Sequence, residues 1–331
     1  MPKTTLRLAC ALYDRMLPLY TGEVQPEGID LQFIVNDDPR GLFDRMGGRQ
    51  EYDVAEMSSS EFITRADAGD NPFVALPVFP SRLFRHGFIV VNRRSGIRQP
   101  KDLEGRRIGV QLYTMTAAVF IRGLLSHEYG VDLSTIRWVQ GAIDRPGAHG
   151  NPTVRPLLAP VDIEINTSDY SLNDLLERQE IDAVIGSHLP AALRRNPDVE
   201  RLFPDFAQVE AAYYQRTGIF PIMHMITIRR DVYERTPFIA ESLYRAFCES
   251  KALALQRMRF PGALRYMLPW LIDAVEQTDR VFGKDPWPYG IGPNRRTLEA
   301  LTQYMTEQSM IRQKPELEKL FLACETHSAN N

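Results

Sequence analysis

Arg82, Arg85 and His86 are crowded into one short stretch, Leu76–Asn92 (LPVFPSRLFRHGFIVVN), between apolar runs at 74–79 and 88–91. Apolar runs of that length read as strands, which puts the cations on the junction between them. Two guanidiniums and an imidazole at one junction suit an organic anion, because a half-buried arginine takes a carboxylate or phosphate as its partner. The alternative is a solvated basic loop. Phe79, Phe84 and Phe88 interleave with the cations and argue against it, since an exposed turn has little use for three aromatic rings. A second anion-binding feature precedes this one. Tyr52–Met57 reads as a strand running into Ser58-Ser59-Ser60-Glu61, a helix start whose free N–H groups and dipole favour a negative charge at Ser58 and Ser59. Plain capping by either serine accounts for the same residues. Glu56, at the end of that strand, either joins the site or pairs with an arginine.

Strands and helices alternate around these residues. Strands are expected at 6–11, 29–35, 52–57, 107–111, 136–140, 161–165, 182–185 and 223–228, and helices at 13–20, 61–68, 172–178, 190–195, 206–214, 238–258 and 297–308. Asp38-Pro39 opens a further helix that Gly47-Gly48 is expected to stop. Tyr113-Thr114-Met115-Thr116 opens another that reaches Tyr129, placing Tyr113 and its neighbouring hydroxyls at a second strand–helix junction. The glycine- and proline-rich segment 141–160 reads as a long irregular loop, a kind that is often functional or mobile. Asp285-Pro286-Trp287-Pro288-Tyr289-Gly290 reads as a rigid aromatic loop able to cover a cleft with Trp287. This alternation defines an α/β protein with largely parallel sheets.

A chain of 331 residues is long for one core, so two domains are expected. A formal net charge of −3 gives no support to nucleic-acid binding, and no apolar run approaches a membrane span, so neither nucleic acid nor membrane is an expected partner. The amino terminus enters strand-like sequence without an apolar signal core, and a cytoplasmic location is expected from that. Cys10, Cys248 and Cys324 fit neither a disulfide framework nor a zinc cluster; they read as reduced, Cys10 and Cys248 in the core. No glycine-rich phosphate loop or cofactor-lysine motif is present, so neither a nucleotide nor a pyridoxal cofactor is expected.

The runs Tyr52–Glu61 (YDVAEMSSSE), Pro100–Val110 (PKDLEGRRIGV) and Ile181–Ile185 (IDAVI) resemble the type II periplasmic-binding-protein fold, two lobes with a ligand cleft between them. The resemblance places residues 1–93 and 219–331 in the first lobe and 94–218 in the second. Within that fold the sequence is similar to the 4,5-dihydroxyphthalate decarboxylases of aromatic-acid catabolism. The carrying motifs are Leu76–His86 (LPVFPSRLFRH), Thr217–His224 (TGIFPIMH), and Pro286–Gly290 (PWPYG) followed by Asn294–Leu298 (NRRTL), and the similarity runs nearly end to end. Fold alone leaves two functions open, an aromatic-acid decarboxylase and a solute-binding protein feeding an importer. His86, His188 and His224 all sit at strand ends or junctions, where the lobes of such a fold face each other, and they favour the enzyme.

The resemblance implies a definite chemistry. A ring carboxylate leaves as CO2 only after the ring carbon is protonated, because an aryl anion is too unstable to form. A hydroxyl para to that carbon can lose its proton and supply the electrons, and loss of CO2 then restores aromaticity. The site therefore needs a proton donor at carbon, an acceptor at the hydroxyl and a cation for the retained carboxylate. Arg82 and Arg85, helped by Ser58 and Ser59, are assigned to the anion, and His86, His188 and His224 to proton transfer. No cofactor is required. The alternative is a divalent metal held by His86, His188, His224 and Glu56, a donor set whose spacing matches no metal motif. The expected partner is a small aromatic acid, and a homo-oligomer is left open.

Overall fold

The computed structural model describes residues 3–153 and 155–324. Its first sheet takes β1 (Thr4–Cys10), β2 (Ile29–Val35), β3 (Val54–Ser58), β4 (Phe73–Arg82) and β11 (Ile222–Arg229), in the order β2-β1-β3-β11-β4. Its second takes β5 (Ile89–Asn92), β6 (Arg107–Val110), β7 (Arg137–Gln140), β8 (Ile163–Ile165), β9 (Ala183–Ile185) and β10 (Val199–Arg201), in the order β10-β5-β9-β6-β7-β8. The helices that flank them are α1 (Leu17–Tyr20), α2 (Pro39–Arg49), α3 (Ser59–Ala68), α4 (Thr116–Tyr129), α5 (Leu172–Glu177), α6 (Ala192–Arg195), α7 (Phe206–Thr217), α8 (Arg230–Arg235), α9 (Phe238–Arg259), α10 (Leu271–Phe282), α11 (Ile291–Glu307) and α12 (Leu317–Leu320). Among the described residues no helix is long and apolar enough to cross a membrane.

The chain thus begins in one lobe, builds the other and returns. The first crossing lies between Arg82 and Ile89, not at residue 93, because Ile89–Val91 pair with Ile185–Ala183 of the second sheet. The return falls between β10 and β11. The central strands β3, β4, β5, β6 and β9 are mostly buried under helices on both faces, and four separate buried clusters result. One of them joins the lobes: Ala117, Val119 and Phe120 of α4 pack with Leu301, Tyr304 and Met305 of α11. Gln308 ties the same seam, accepting from Arg122 at 2.9 Å and donating to the Val119 carbonyl at 3.0 Å.

Some boundaries differ from those the sequence suggests. Helix α2 runs through Gly47 and Gly48 and ends at Gln50, which takes the left-handed conformation at φ 52°. Helix α11 starts at Ile291, six residues before Thr297, since Pro293 is tolerated in a first turn. Cys10 is buried, while Cys248 is only partly so; both are free thiols.

The pairing of β4 with β11 carries the feature that matters most for function. Prolines 77 and 80 cannot donate ladder hydrogen bonds, and opposite them the register slips twice, between Ile222 and His224 and between His224 and Ile226. Bulges of this kind re-aim side chains, and here they turn His224 toward the gap between the sheets.

Candidate active site

Between the lobes lies a cleft of about 830 Å³. Its walls are the residues just past the carboxyl ends of parallel strands: Tyr13 after β1, Ser58 at the end of β3, Gln111 after β6 and His188 after β9. Helices α2, α3 and α4 all begin on this cleft, at Pro39, just after the N-cap Ser58, and at Thr116, so their N–H groups favour an anion there. Ser58 and Thr116, from opposite lobes, touch through their hydroxyls at 3.1 Å.

On the first lobe, His224 meets Glu56 through Nδ1 at 2.6 Å. Glu56 is completely buried and also accepts from the Tyr13 hydroxyl at 2.7 Å, the Ala11 amide at 3.2 Å and the Cys10 thiol at 3.2 Å. Burial pushes its pKa up, but the bond and charge of His224, then Tyr13 and Ala11, outweigh that and hold the carboxyl below its ordinary range. Glu56 is therefore a carboxylate and His224 donates from Nδ1, which leaves Nε2 for the cleft. The Phe43 ring packs edge-on to the imidazole at 4.8 Å and fixes its plane. This pair can hold an imidazolium beside a reacting carbon.

Arg82 and Arg85 line the same cleft from the end of β4, both nearly inaccessible to water. Neither forms an ion pair among the described residues. Arg82 donates to the Asn294 side chain at 2.7 Å and the Phe220 carbonyl at 2.8 Å, leaving Nε without a partner. Arg85 lies over the Phe88 ring at 4.8 Å, with Nε and Nη1 unpartnered. Burial lowers each pKa to about 9, so both stay charged near neutrality. Two guanidiniums that border the cleft with no carboxylate partner among the described residues suit an anionic ligand. The PWPYG loop supports it: Asn294 donates to the carbonyls of Pro288 and Gly290, both at 2.8 Å, which turns its oxygen toward Arg82.

On the second lobe, Gln111 sets the tautomer of His188. The Gln111 Oε1 accepts from the backbone amides of Ser187 at 2.9 Å and His188 at 3.3 Å, groups that can only donate. Its NH2 then faces His188 Nδ1, 3.2 Å away, and the Ser187 hydroxyl lies 2.9 Å from the same nitrogen; with both as donors Nδ1 accepts, and a neutral His188 carries its hydrogen on Nε2. His188 offers the cleft a donor.

Of the other expected site residues, several lie elsewhere. His86 is buried behind the cleft among Tyr129, Phe203 and Tyr213, with both ring nitrogens unpartnered, and burial lowers its pKa to about 4. Its neighbours Arg82 and Arg85 reach the cleft; its own side chain belongs to the core. Tyr113 is in the core as well, its ring under the Arg122 guanidinium at 3.6 Å. Ser59 is fully buried within the first turn of α3. Trp287 does not cover the cleft: its Nε1 donates to the Phe79 carbonyl at 2.9 Å and its ring stacks on Arg15. The set His86, His188, His224 and Glu56 is therefore not assembled, and no cluster suited to a metal ion occurs among the described residues.

The sequence reasoning passed over Tyr13, Arg15, Gln111 and His149, all of which line the cleft. Tyr13 and Gln111 were legible in principle, since each stands just beyond a parallel strand's carboxyl end.

Two lobes and a cleft between them, rimmed by helix N-termini and lined by two buried arginines, define a periplasmic-binding-protein-fold protein. The fold is that of the sulphonate-binding protein SsuA from Escherichia coli, with a TM-score of 0.52 and 13% identity over 97% of this chain and 98% of that one. The Candida albicans CA3427 product, described as having the generic periplasmic binding protein structural fold, gives 0.51 and 13% over 99% of each chain. At such identities the likeness concerns the fold alone. No protein-family model matches the chain. It is, however, 38% identical over 300 residues to a 4,5-dihydroxyphthalate decarboxylase of Comamonas testosteroni, covering 90% of each chain. It is also 36% identical over 216 residues to one of Pseudomonas putida, covering 65% of this chain and 83% of the relative. The chain belongs to the 4,5-dihydroxyphthalate decarboxylase family; it is a decarboxylase.

Proposed function

We propose that the protein decarboxylates 4,5-dihydroxyphthalate, or a close dihydroxylated aromatic acid, to a catechol monoacid such as protocatechuate, by protonating the ring carbon that carries the departing carboxylate. The observation that carries this reading is the pairing, in one cleft, of two buried unpaired arginines with a histidine backed by a buried carboxylate. Arg82 and Arg85, with the N-termini at Ser58 and Thr116, hold the carboxylate that stays. His224 gives the proton to carbon. Glu56 holds the ring by its Nδ1–H and stabilises the imidazolium, as a buried carboxylate does for a catalytic histidine. His188 donates from Nε2 to an oxygen of the substrate.

The chemistry demands that the vacated ring position take a hydrogen from solvent. Purified protein in deuterated buffer is expected to release CO2 from 4,5-dihydroxyphthalate and to leave one deuterium at that position of protocatechuate. Tight binding of the acid with no CO2 would establish capture without chemistry and refute the reading.

A further inference from the structure

The loop 141–160 crosses from the second lobe onto the first and is fastened there in three places. The Asn151 amide donates to Asp44 at 2.8 Å, Arg155 pairs with Asp70, and the Leu158 amide donates to the Ser309 carbonyl at 2.7 Å. Gly150 is pressed so closely on α2 that an added Cβ would lie 2.5 Å from Arg40 Cγ, and its φ of 73° favours glycine. The seating of Gly150 and Asn151 on α2 holds the residue just before them, His149, in the cleft wall. Its ring is 6.3 Å from that of His188, centroid to centroid. It makes no hydrogen bond to the protein among the described residues, so both nitrogens are available.

Around it the cleft is lined by the charged Arg40, Asp44 and Arg145 and by His188. Burial, then Arg40 and His188, lower the His149 pKa to about 4, so the ring is neutral near neutrality. A bound dicarboxylate brings negative charge beside it and raises its proton affinity, giving the ring its basicity when substrate is in place.

We propose that His149 is the catalytic base that removes the proton from the ring hydroxyl para to the departing carboxylate, the position a neutral His188 cannot serve because its Nδ1 is occupied and its Nε2 carries hydrogen. This rests on the decarboxylase reading and adds the second half of its proton path. The hydroxyl proton passes to a His149 ring nitrogen, and the oxygen lone pair forms a carbonyl while the para carbon takes a proton from His224. The bond from that carbon to the carboxylate then breaks, its electron pair restores the ring, and the carbonyl oxygen becomes a phenolate as CO2 leaves. His149 returns its proton to the phenolate. His224 is recharged from solvent, so one proton is consumed per CO2.

The test uses the wild type, His149→Gln and His149→Phe, with protocatechuate as a spectroscopic probe and phthalate, which lacks hydroxyls, as a binding control. In the wild type, protocatechuate is expected to bind with the red-shifted absorbance of an ionised catechol at a pH where the free ligand keeps its hydroxyl protons. Both variants should bind phthalate and melt as the wild type does, lose the red shift, and lose roughly 10²–10⁴-fold in kcat on 4,5-dihydroxyphthalate with KM changed only a few-fold. If either folded variant keeps the red shift and the rate, His149 is not the base, while the decarboxylase stands. A wild type that binds both ligands and never releases CO2 removes the decarboxylase reading and this proposal together.

Discussion

Replacing Arg85 by methionine separates a binding arginine from a structural one, because the two roles predict stability changes of opposite sign. In the ligand-free protein the Arg85 side chain is 5% exposed, with Nε and Nη1 unpartnered. Each buried donor without an acceptor costs about 1–3 kcal/mol. The guanidinium recovers on the order of 1–2 kcal/mol from its contact with the Phe88 ring. Methionine keeps the apolar stem and deletes the orphans, so Arg85→Met is expected to gain roughly 1–3 kcal/mol and to melt a few degrees higher. Binding moves the other way. A desolvated carboxylate contact to arginine is worth about 2–4 kcal/mol, so phthalate should bind roughly 30- to 700-fold more weakly. Calorimetry and thermal melting with and without phthalate read both effects, and the ligand-dependent rise in Tm should nearly vanish in the variant. The pH dependence has a definite sign. The Arg85 pKa, held by burial at about 9 in the folded protein, returns to the ordinary, higher guanidinium range in the unfolded chain. Above about 9 the unfolded chain still binds the proton that the folded one gives up, so the wild type gains stability relative to Arg85→Met as pH rises through that value. A variant that melts lower and binds phthalate as tightly as the wild type would show that Arg85 holds the fold and not the acid.

Four further substitutions have outcomes that follow from the geometry. His224→Asn should bind phthalate and fold normally but lose roughly 10²–10⁴-fold in kcat; Glu56→Gln should lose rate similarly and in addition melt lower, because an amide cannot accept from both the Ala11 amide and the Tyr13 hydroxyl without presenting an N–H to one of them. His86→Phe should keep kcat within a few-fold, which a direct rate assay checks. Because burial holds the His86 pKa near 4 against 6.5 when unfolded, the wild type should lose stability between those pH values that the variant retains. Gly150→Ala, at φ 73° and against Arg40, should loosen the loop's seat on α2 and lower kcat while leaving phthalate affinity near normal.

What the sequence made legible was whatever is written locally. The strand-into-serine run at 52–61, the apolar runs flanking Arg82 and Arg85, and the helix opened at Asp38-Pro39 all form where their residue types require, since period, caps and proline act within a few positions. The failures concern direction. Arg85 and His86 are adjacent, and which of them reaches the cleft depends on the short 3₁₀ turn at His86–Phe88, whose geometry no periodicity encodes. Trp287 reads as a lid because aromatic loops often are; the hydrogen bond to Phe79 that pins it comes from a strand more than 200 positions away. His149 was hidden for a related reason: the loop 141–160 has no pattern of its own, and its contacts with Asp44, Asp70 and Ser309 exist only once the lobes are assembled.

The same fold serves capture and catalysis, so the distinguishing feature has to be something that binding alone does not explain. Arginines and helix N-termini are not it, because they recognise an anion in either role. Glu56 is. Burying a carboxylate is costly unless donors surround it, and this chain directs four groups to it, from Cys10, Ala11, Tyr13 and His224. A scaffold that only held an acid would gain nothing from a second negative charge a few ångströms behind its ligand, and would bind more tightly without it. The arrangement makes sense when the imidazole between that carboxylate and the cleft must carry a positive charge and give up a proton. The two prolines of β4 belong to the same logic, since the slipped register opposite them re-aims His224 toward the cleft.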